Sequence, residues 1–356
     1  MSITVEAQLP AGSLDIIGDV HGELDALQAL LQKLGYDADG QHRDGRHLVF
    51  VGDLCDRGPD SPGVIELVQA LSASGQAQCV LGNHELSVLR GARKSGNGWF
   101  FAENHDHGEG RFPDCRGSSA VQREEFPVFL ASLPLTLSRD DLRVVHAAWH
   151  QESLLALAAD ASRQPLTDIY REYHRRAGQW LQQDSGLSHS LAEEQRQWGA
   201  KMADEQVSVP LLKATGQMNE QFQMKNPIRV LTSGVEQLAS KPFYATGKWR
   251  MVDRVAWWHD YRDEVPVIFG HYWRWSDHAV PPGHSRGEPD LFKGQAAGAW
   301  LGPRANAFCV DFSVGVRYRE RPLAPGARHL GRLAAVRWPE RELVFDDGER
   351  LTLTAD

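Results

Sequence analysis

Three short segments of the chain place metal-binding types of side chain directly after apolar runs. Their letters are GDVHG at residues 18–22, GDLCDRG at 52–58 and GNHE at 82–85. The apolar runs before them, at residues 14–17, 48–51 and 79–81, predict short buried strands that each end at a glycine. Because the carboxyl ends of neighbouring strands meet in one crevice, we expect the residues that follow to converge. Those of a metal-binding type are Asp19, His21, Asp53 and Asn83.

A pair of divalent ions needs hard oxygen and imidazole ligands, with one carboxylate shared between the ions. The three segments supply that mixture, and it argues against a thiolate zinc site. Two later histidines also follow apolar runs: His146 comes after residues 142–145, and His271 comes after residues 265–270. These two side chains would complete the ligands of a second ion.

The same motifs carry a resemblance to a known family. In chain order, GDxHG, GDxxDRG, GNHE, a strand-terminal histidine and a late GH resemble the phosphoprotein phosphatase family of calcineurin-like metallophosphoesterases. The bacterial members that look most similar are the symmetrical diadenosine tetraphosphatases and the serine/threonine phosphatases. The resemblance is dense over residues 14–93 and returns over 266–344. Trp273 stands where the wider superfamily usually has a second late histidine, which favours the phosphoprotein phosphatase branch.

The resemblance implies two divalent ions that share one carboxylate. The ligands that it implies are Asp19 and His21 for the first ion, Asp53 as the bridge, and Asn83, His146 and His271 for the second. One departure from the family pattern is Ala148, which replaces the usual glycine two positions after the strand-terminal histidine. Manganese is the ion that the resemblance favours, although such ligands also accept iron, cobalt or zinc.

The resemblance also implies catalytic groups beside the ions. His84 would protonate the leaving oxygen, and Asp56 would hold the other ring nitrogen of that histidine. Arg57 would bind the phosphate through its planar guanidinium. The candidates for a second phosphate-binding residue are Arg254 and, as its rivals, Arg250 and Lys248.

Two ions roughly 3.5 to 4 Å apart can share a hydroxide and present it in line to phosphorus, without a covalent phosphoenzyme. Each motif also has a purely structural interpretation. Asp53 and Arg57 could cap or pair with a helix that starts near residues 61–62, and His84 could be a buried histidine with a satisfied ring. The occurrence of all three motifs in the same order favours the metal site.

The fold class predicted is α/β. Helical spacing of apolar residues follows each motif, over residues 23–34, 64–71 and 85–93, which produces an alternating order of strands and helices. The resemblance implies a four-layer α/β/β/α sandwich with a mostly helical insertion, in a single domain over residues 1–356. The tail predicts closing strands at residues 308–311, 333–338 and 343–345.

Two segments fall outside the resemblance. Residues 151–255 are predicted to be mostly helical, through 154–161 and 169–181, and form either a cap over the rim of the site or a helical layer without substrate contact. The polar stretch at residues 91–119 is predicted to be a mobile loop, in which His105 and His107 are solvated rather than metal-bound.

The class of substrate depends on the rim of the site. Trp149, Trp273 and Trp275 follow closely after His146 and His271, so they could either stack on a nucleobase or serve in packing. The tail and the tryptophans favour a nucleotide such as a dinucleoside tetraphosphate over a phosphoprotein. A non-catalytic metal-binding regulatory module is the alternative of a different class, and the presence of the predicted acid and phosphate-binding residues argues against it.

Composition excludes several other classes of protein. The chain has 356 residues, of which 42% are hydrophobic and 24% are charged, as in an ordinary globular protein. A formal net charge of -9 argues against a general nucleic-acid binder. No apolar run is long enough to span a bilayer and the N-terminus lacks a secretory pattern, so we expect a cytoplasmic protein with reduced cysteines.

Overall fold

The computed structural model of the chain describes residues 3–101, 112, 115–160, 164–245, 247–276, 280–281, 284, 287–323 and 326–354. His105 and His107 lie outside these residues. The strands are Glu6–Gln8 (β1), Leu14–Ile17 (β2), His47–Phe50 (β3), Ala77–Cys79 (β4), Thr136–Arg139 (β5), Leu142–Val145 (β6), Glu236–Ala245 (β7), Lys248–Arg254 (β8), Val267–Phe269 (β9), Ala307–Cys309 (β10), Ala334–Trp338 (β11), Glu342–Phe345 (β12) and Arg350–Thr352 (β13). The helices are Leu24–Leu34 (α1), Ser61–Ala73 (α2), Asn83–Leu89 (α3), Ala120–Leu130 (α4), Gln151–Asp160 (α5), Leu166–Gln183 (α6), Ser185–Trp198 (α7), Lys213–Met224 (α8), Pro227–Ser233 (α9) and Arg317–Leu323 (α10).

The first helices form where the spacing of apolar residues predicts them. In α1, Leu27, Leu30, Leu31 and Leu34 point into the core, and Gly35 ends the helix in a left-handed conformation with φ of 98°. Helix α2 is capped by Asp60, whose carboxylate accepts a hydrogen bond from the Gly63 backbone N–H at 2.8 Å. The cap of this helix is therefore Asp60 and not Asp53 or Arg57.

The strands make two large sheets and a separate ribbon. One sheet has the order β1-β5-β6-β9-β10, the other has the order β13-β12-β11-β2-β3-β4, and β7 and β8 pair in a two-stranded sheet. In the first sheet β6, β9 and β10 are parallel neighbours, and in the second β2, β3 and β4 are parallel neighbours. Each sheet thus brings three strand ends to one edge, and these ends lead into the predicted site.

The two sheets pack face to face and carry helices on their outer faces. Leu14 and Ile16 of β2 belong to a buried cluster that also contains Val144, Ile268 and other residues of the opposite sheet. The following residue, Ile17, points the other way and packs in the cluster that contains the apolar residues of α1 and α2. The predicted four-layer α/β/β/α sandwich is confirmed.

The segment between β6 and β9 is mostly helical, as predicted, but it also contains the β7-β8 ribbon, which the sequence did not indicate. Helices α5 and α9 pack in the main core through residues such as Leu157 and Leu231. The ribbon and the residues before α8 instead form a small core of their own around Val209, Leu212 and Met251. This part of the insertion is therefore a separately packed layer.

The prediction of a mobile loop over residues 91–119 is wrong for a part of that segment. Asn97, Trp99 and Phe100 are buried, and Trp99 packs against Phe100 and against Phe126 of α4. The residues on either side of this aromatic pair are polar, so the sequence pattern did not predict that the pair contributes to the core. None of the helices in the part of the chain that the structure describes is both long and apolar enough to cross a membrane.

A buried network of ion pairs and hydrogen bonds stabilises the carboxylate of Asp15, which lies within strand β2. Asp15 is fully buried and accepts hydrogen bonds from Arg46 Nε and Nη2, both at 2.9 Å, and from the Tyr36 hydroxyl at 2.8 Å. Arg46 also donates to Glu340 Oε1 at 2.7 Å, in the turn between β11 and β12. The network joins the start of β3 to the closing hairpin of the same sheet.

We expect Arg46→Ala to lower the free energy of unfolding by about 3 to 5 kcal/mol, because it leaves the buried Asp15 carboxylate without its main cation. Urea unfolding followed by circular dichroism measures this change. The matched control is Arg43→Ala, whose side chain is 89% exposed and should change stability by no more than about 0.5 kcal/mol. A loss below about 1 kcal/mol for Arg46→Ala would mean that the network contributes little.

Candidate metal centre and phosphate site

Asp53 lies at the centre of the site, between two groups of histidines. It follows β3, and its Oδ2 lies 3.3 Å from His146 Nε2 and 3.9 Å from His21 Nε2. Two clusters of possible metal-binding atoms share it: one is formed with His21 and His84, the other with His146 and His271. A carboxylate in this position could bridge two ions.

The first group consists of Asp19 and His21, which follow β2. His21 Nε2 lies 3.9 Å from Asp19 Oδ2, and His21 Nδ1 donates to the Cys55 carbonyl oxygen at 3.1 Å. Because Nδ1 carries the proton, the lone pair of Nε2 points into the site. That lone pair accepts a hydrogen bond from Arg57 Nη1 at 2.6 Å.

The second group consists of Asn83, His146 and His271. His146 Nδ1 donates to the Val51 carbonyl oxygen at 2.7 Å, which turns its Nε2 towards Asp53 and, at 3.3 Å, towards Asn83 Oδ1. His271 Nδ1 lies 2.9 Å from the same Asn83 oxygen. The structure therefore brings together all six residues that the sequence predicts as metal ligands.

The backbone of the site is strained where these side chains turn inward. His21, Asp53, Asp56, Arg57, His271 and Trp273 all have positive φ values, between 49° and 74°. Such conformations cost a non-glycine residue roughly 1 to 3 kcal/mol each and tend to occur at functional sites. Gly82 and Gly270 are needed for a different reason, since a Cβ atom would lie 2.3 Å from an Asp53 oxygen at the first position and 2.0 Å from an Asp19 oxygen at the second.

The carboxylates of the site repel one another. Burial and then the neighbouring Asp311 carboxylate raise the pKa of Asp19 well above its usual range. Burial works against protonation of His146, but the Asp53 and Asp19 carboxylates and the Val51 carbonyl together outweigh it and raise the pKa of His146 to about 10. Burial also opposes ionisation of Asp53, but the His146, His84 and His21 imidazoles together outweigh it and hold the pKa of that carboxyl well below its usual range.

These features fit divalent cations. Buried carboxylates that repel one another are stabilised by a cation between them. The Nε2 atoms of His21 and His146 are directed inward by the hydrogen bonds that their Nδ1 atoms donate to backbone carbonyls, an arrangement typical of metal-ligating histidines. The donor set of carboxylate, amide and imidazole is suited to manganese, iron, cobalt or zinc.

His84 lies beside the ligands in an arrangement suited to proton transfer. Its Nδ1 is 2.5 Å from Asp56 Oδ2, and its Nε2 faces the site, 3.8 Å from Asp53 Oδ2. Asp56 is held in turn by Trp99 Nε1, which donates to Oδ1 at 2.7 Å, and by Lys94, whose Nζ lies 3.8 Å from Oδ2. Burial and then the Lys94 charge lower the pKa of His84 well below its usual range.

Arg57 projects into the same space. Its Nη2 donates to His84 Nε2 at 3.1 Å, and its guanidinium stacks at 4.7 Å on the ring of Trp273. The planar group is thus held by two imidazoles and an indole, with its donors directed towards the metal centre. This orientation suits bidentate binding of a phosphoryl group.

Comparison with known proteins agrees with this geometry. Residues 13–185 match the model of a family described as calcineurin-like phosphoesterases. This part of the chain is a calcineurin-like metallophosphoesterase domain. Over 74 residues, 53% are identical to a protein of Oceanobacillus iheyensis named bis(5'-nucleosyl)-tetraphosphatase PrpE, asymmetrical. The Bacillus subtilis protein of the same name is 49% identical over 73 residues.

These matches are local. Each covers 20% of this chain, and the chain spans 30% of the length of the curated relatives that it matches. A solved structure, the cold-active protein-tyrosine phosphatase of a psychrophilic Shewanella species, is similar over 99% of this chain and 83% of its own, at 18% identity and a TM-score of 0.46. The family match ends before His271, so that residue joins the metallophosphoesterase site through the fold.

Sequence reasoning missed two carboxylates of the metallophosphoesterase site. Asp311 follows β10, is buried, and accepts hydrogen bonds from the backbone N–H groups of Trp273 at 2.7 Å and Ser313 at 2.9 Å. The sequence does contain a signal for Asp311, because this residue follows a buried strand in the same way as Asp19. Glu85 accepts from the backbone N–H groups of Asp53 and Leu54, both at 2.8 Å, and thereby holds the turn that carries the central carboxylate.

Arg254 lies next to the metallophosphoesterase site, but its guanidinium already has partners. It pairs with Glu288 and donates from Nη1 to the His271 carbonyl oxygen at 3.0 Å. These contacts support the backbone of a predicted metal ligand. Its predicted role in binding phosphate stays a prediction.

One cavity of about 680 Å³ connects the metallophosphoesterase site to the insertion. At one end it is lined by Asp53, Arg57, Asn83, His84, His271 and Trp273. At the other end its walls come from α7, α8, α9 and the β7-β8 ribbon. Of the three tryptophans singled out in the sequence, Trp273 lines this cavity, whereas Trp149 and Trp275 are buried.

Proposed function

We propose that the protein is a phosphoesterase that depends on two divalent metal ions and hydrolyses a phosphoanhydride of a dinucleoside polyphosphate. The observation that carries the proposal is the position of Asp53, shared between the His21 and the His146 groups. Two bound ions, with manganese as our choice, would supply an activated nucleophile and neutralise the charge that develops on the phosphoryl group.

The protein's own residues would bind and orient the phosphoryl group. Arg57 donates into the space beside the two imidazoles of His21 and His84, so it can contact two phosphoryl oxygens. Trp273 supports its guanidinium from one face. The strained turns hold these groups in place before the substrate arrives, so that little reorganisation is needed during the reaction.

His84 would protonate the leaving oxygen. Its Nε2 faces the phosphoryl position, and its Nδ1 is held by Asp56, which favours the doubly protonated ring. A phosphate group bound beside Nε2 adds negative charge and opposes the effect of Lys94 and Arg57 on the imidazole. The substrate would therefore favour the protonated form that the role requires.

A nucleotide substrate is supported by the shape and the lining of the cavity. The space continues from the metal centre into the insertion, where Phe222, Phe243 and Trp249 line it. Aromatic faces of this kind stack on nucleobases regardless of their identity. We therefore propose that residues 151–255 act as a cap over the substrate. The names of the relatives point to the same class of substrate.

The test compares diadenosine tetraphosphate with a phosphothreonine peptide, each at equal concentration, on the manganese-loaded protein. We expect a clear preference in kcat/KM for the dinucleotide. The products then identify the bond that is cleaved, because two molecules of ADP result from symmetrical cleavage and ATP with AMP from asymmetrical cleavage. Preferred release of phosphate from the peptide would instead make the protein a serine/threonine phosphatase. No turnover of either substrate, with metals demonstrably bound, would favour a non-catalytic regulatory module.

A further inference from the structure

The end of the cavity that lies in the insertion is rich in basic side chains. Arg229 of α9 and Lys248 and Arg250 of β8 all line it. They are separate from Arg57, which lines the end of the cavity at the metal centre. We propose that Arg229, Lys248 and Arg250 form a second anion subsite, which binds the phosphate chain of a polyphosphate substrate away from the bond that is cleaved.

The three cations are close enough to repel one another. Lys248 is exposed, but its partial desolvation and then the charges of Arg250 and Arg229 lower its pKa. Burial also lowers the pKa of Arg250. Such a grouping is unfavourable in the folded protein unless an anion balances it, and phosphate oxygens are the partners that arginine and lysine bind best.

Two carboxylates of the described residues line the same part of the cavity, Glu236 and Glu288. Burial raises the pKa of Glu236 even though Arg229, Arg254 and Arg250 act in the opposite direction. Glu288, the other acidic residue at this end of the cavity, is paired with Arg254. Among the described residues that line this part of the cavity there are thus four cations and two carboxylates, and one of these carboxylates is paired with Arg254.

The side chains are also held in place. Arg229 Nε donates to Gln223 Oε1 at 2.9 Å, and Arg250 Nε donates to the Ala245 carbonyl oxygen at 3.3 Å. Both arginines line the cavity. A polyphosphate chain whose reacting phosphorus lies beside Arg57 can extend within the same space to these groups. The substrate class in this inference rests on the proposed function.

The experiment removes two of the charges and keeps the length of the side chains. The variant is Lys248→Met combined with Arg250→Met, and Lys248→Glu is a second variant that tests the charge by reversal. The matched control is Lys241→Met, an exposed lysine of the same ribbon that does not line the cavity. Circular dichroism and thermal unfolding verify that each variant is folded.

Two readouts are compared. Calorimetry measures the binding of inorganic tripolyphosphate to metal-loaded protein, and we expect the double variant to bind at least about tenfold more weakly than the wild type and the control. Steady-state kinetics measures the ratio of kcat/KM for diadenosine tetraphosphate to that for para-nitrophenyl phosphate. We expect this ratio to fall at least about tenfold, mainly through KM, because the small monoester cannot reach the second subsite.

The outcomes separate this inference from the proposed function. Equal losses on both substrates would assign the two residues to the reacting phosphate and overturn the inference. Unchanged binding and an unchanged ratio in an active enzyme would also overturn it and leave the proposed function in place. A wild type that binds tripolyphosphate through these residues but hydrolyses neither substrate would support the subsite and contradict the proposed function.

Discussion

Asp53→Asn should abolish metal-dependent hydrolysis, with a fall in kcat of at least about 10³-fold, or about 4 kcal/mol of transition-state stabilisation. The carboxylate is shared by the two histidine groups, and its Oδ1 also accepts the His84 backbone N–H at 2.9 Å. Asparagine preserves the shape of the side chain and one acceptor oxygen. It removes the charge and the second oxygen, both of which a bridge between two ions requires.

Metal content distinguishes a bridging role of Asp53 from a purely structural one, because a structural role would leave the number of bound ions unchanged. Inductively coupled plasma mass spectrometry should find two ions per chain in the wild type and one or none in the variant. Asp260→Asn is the matched control, because that carboxylate is 92% exposed. Turnover within tenfold of the wild type, together with an unchanged metal content, would exclude Asp53 as the bridge.

His84→Ala should leave both metals bound and lower kcat by about 10² to 10⁴-fold on substrates whose leaving group needs a proton. The effect on para-nitrophenyl phosphate should be much smaller, since nitrophenolate leaves without protonation. The physical reason is the position of Nε2, which faces the site while Asp56 holds the opposite nitrogen. Asp56→Asn should reproduce a part of the same pattern, because it weakens the support of the imidazole.

His84 also belongs to the first possible metal cluster, so it could be either a general acid or a metal ligand. The dependence of the rate on the leaving group and the metal content together distinguish these two roles. Loss of one ion from His84→Ala would make it a ligand. Equal loss of activity on all leaving groups with both ions retained would contradict the role of an acid. His189→Ala, an exposed histidine of α7, is the control for the substitution itself.

Much of the site could be predicted because its residues follow one rule. Asp19 and Asp53 lie in the turns after two buried strands and Asn83 opens the helix after a third, and parallel strands deliver their carboxyl ends to one edge of a sheet. His146 and His271 obey the same rule in the other sheet. The tail strands were predictable too, since their apolar residues form compact runs at β10, β11 and β12.

Other parts could not be predicted, because their role depends on partners far away in the chain. Lys94 and Trp99 lie in a segment with polar composition, and only the fold brings them to Asp56. The ribbon of β7 and β8 contributes to a small core and to the wall of the cavity, and its pairing is irregular between Leu238 and Phe243. A periodic pattern broken in this way resembles neither a regular strand nor a helix.

The sequence by itself determined the types of ligand, their order and the alternation of strands and helices, since these depend on local spacing and on the chemistry of each side chain. Only the tertiary structure decided that Asp311 joins Asp19, that backbone carbonyls turn the His21 and His146 Nε2 atoms inward, and that the insertion shares a cavity with the metal centre. These facts depend on how two sheets pack face to face. Packing of that kind is a relation between residues hundreds of positions apart, which local patterns do not encode.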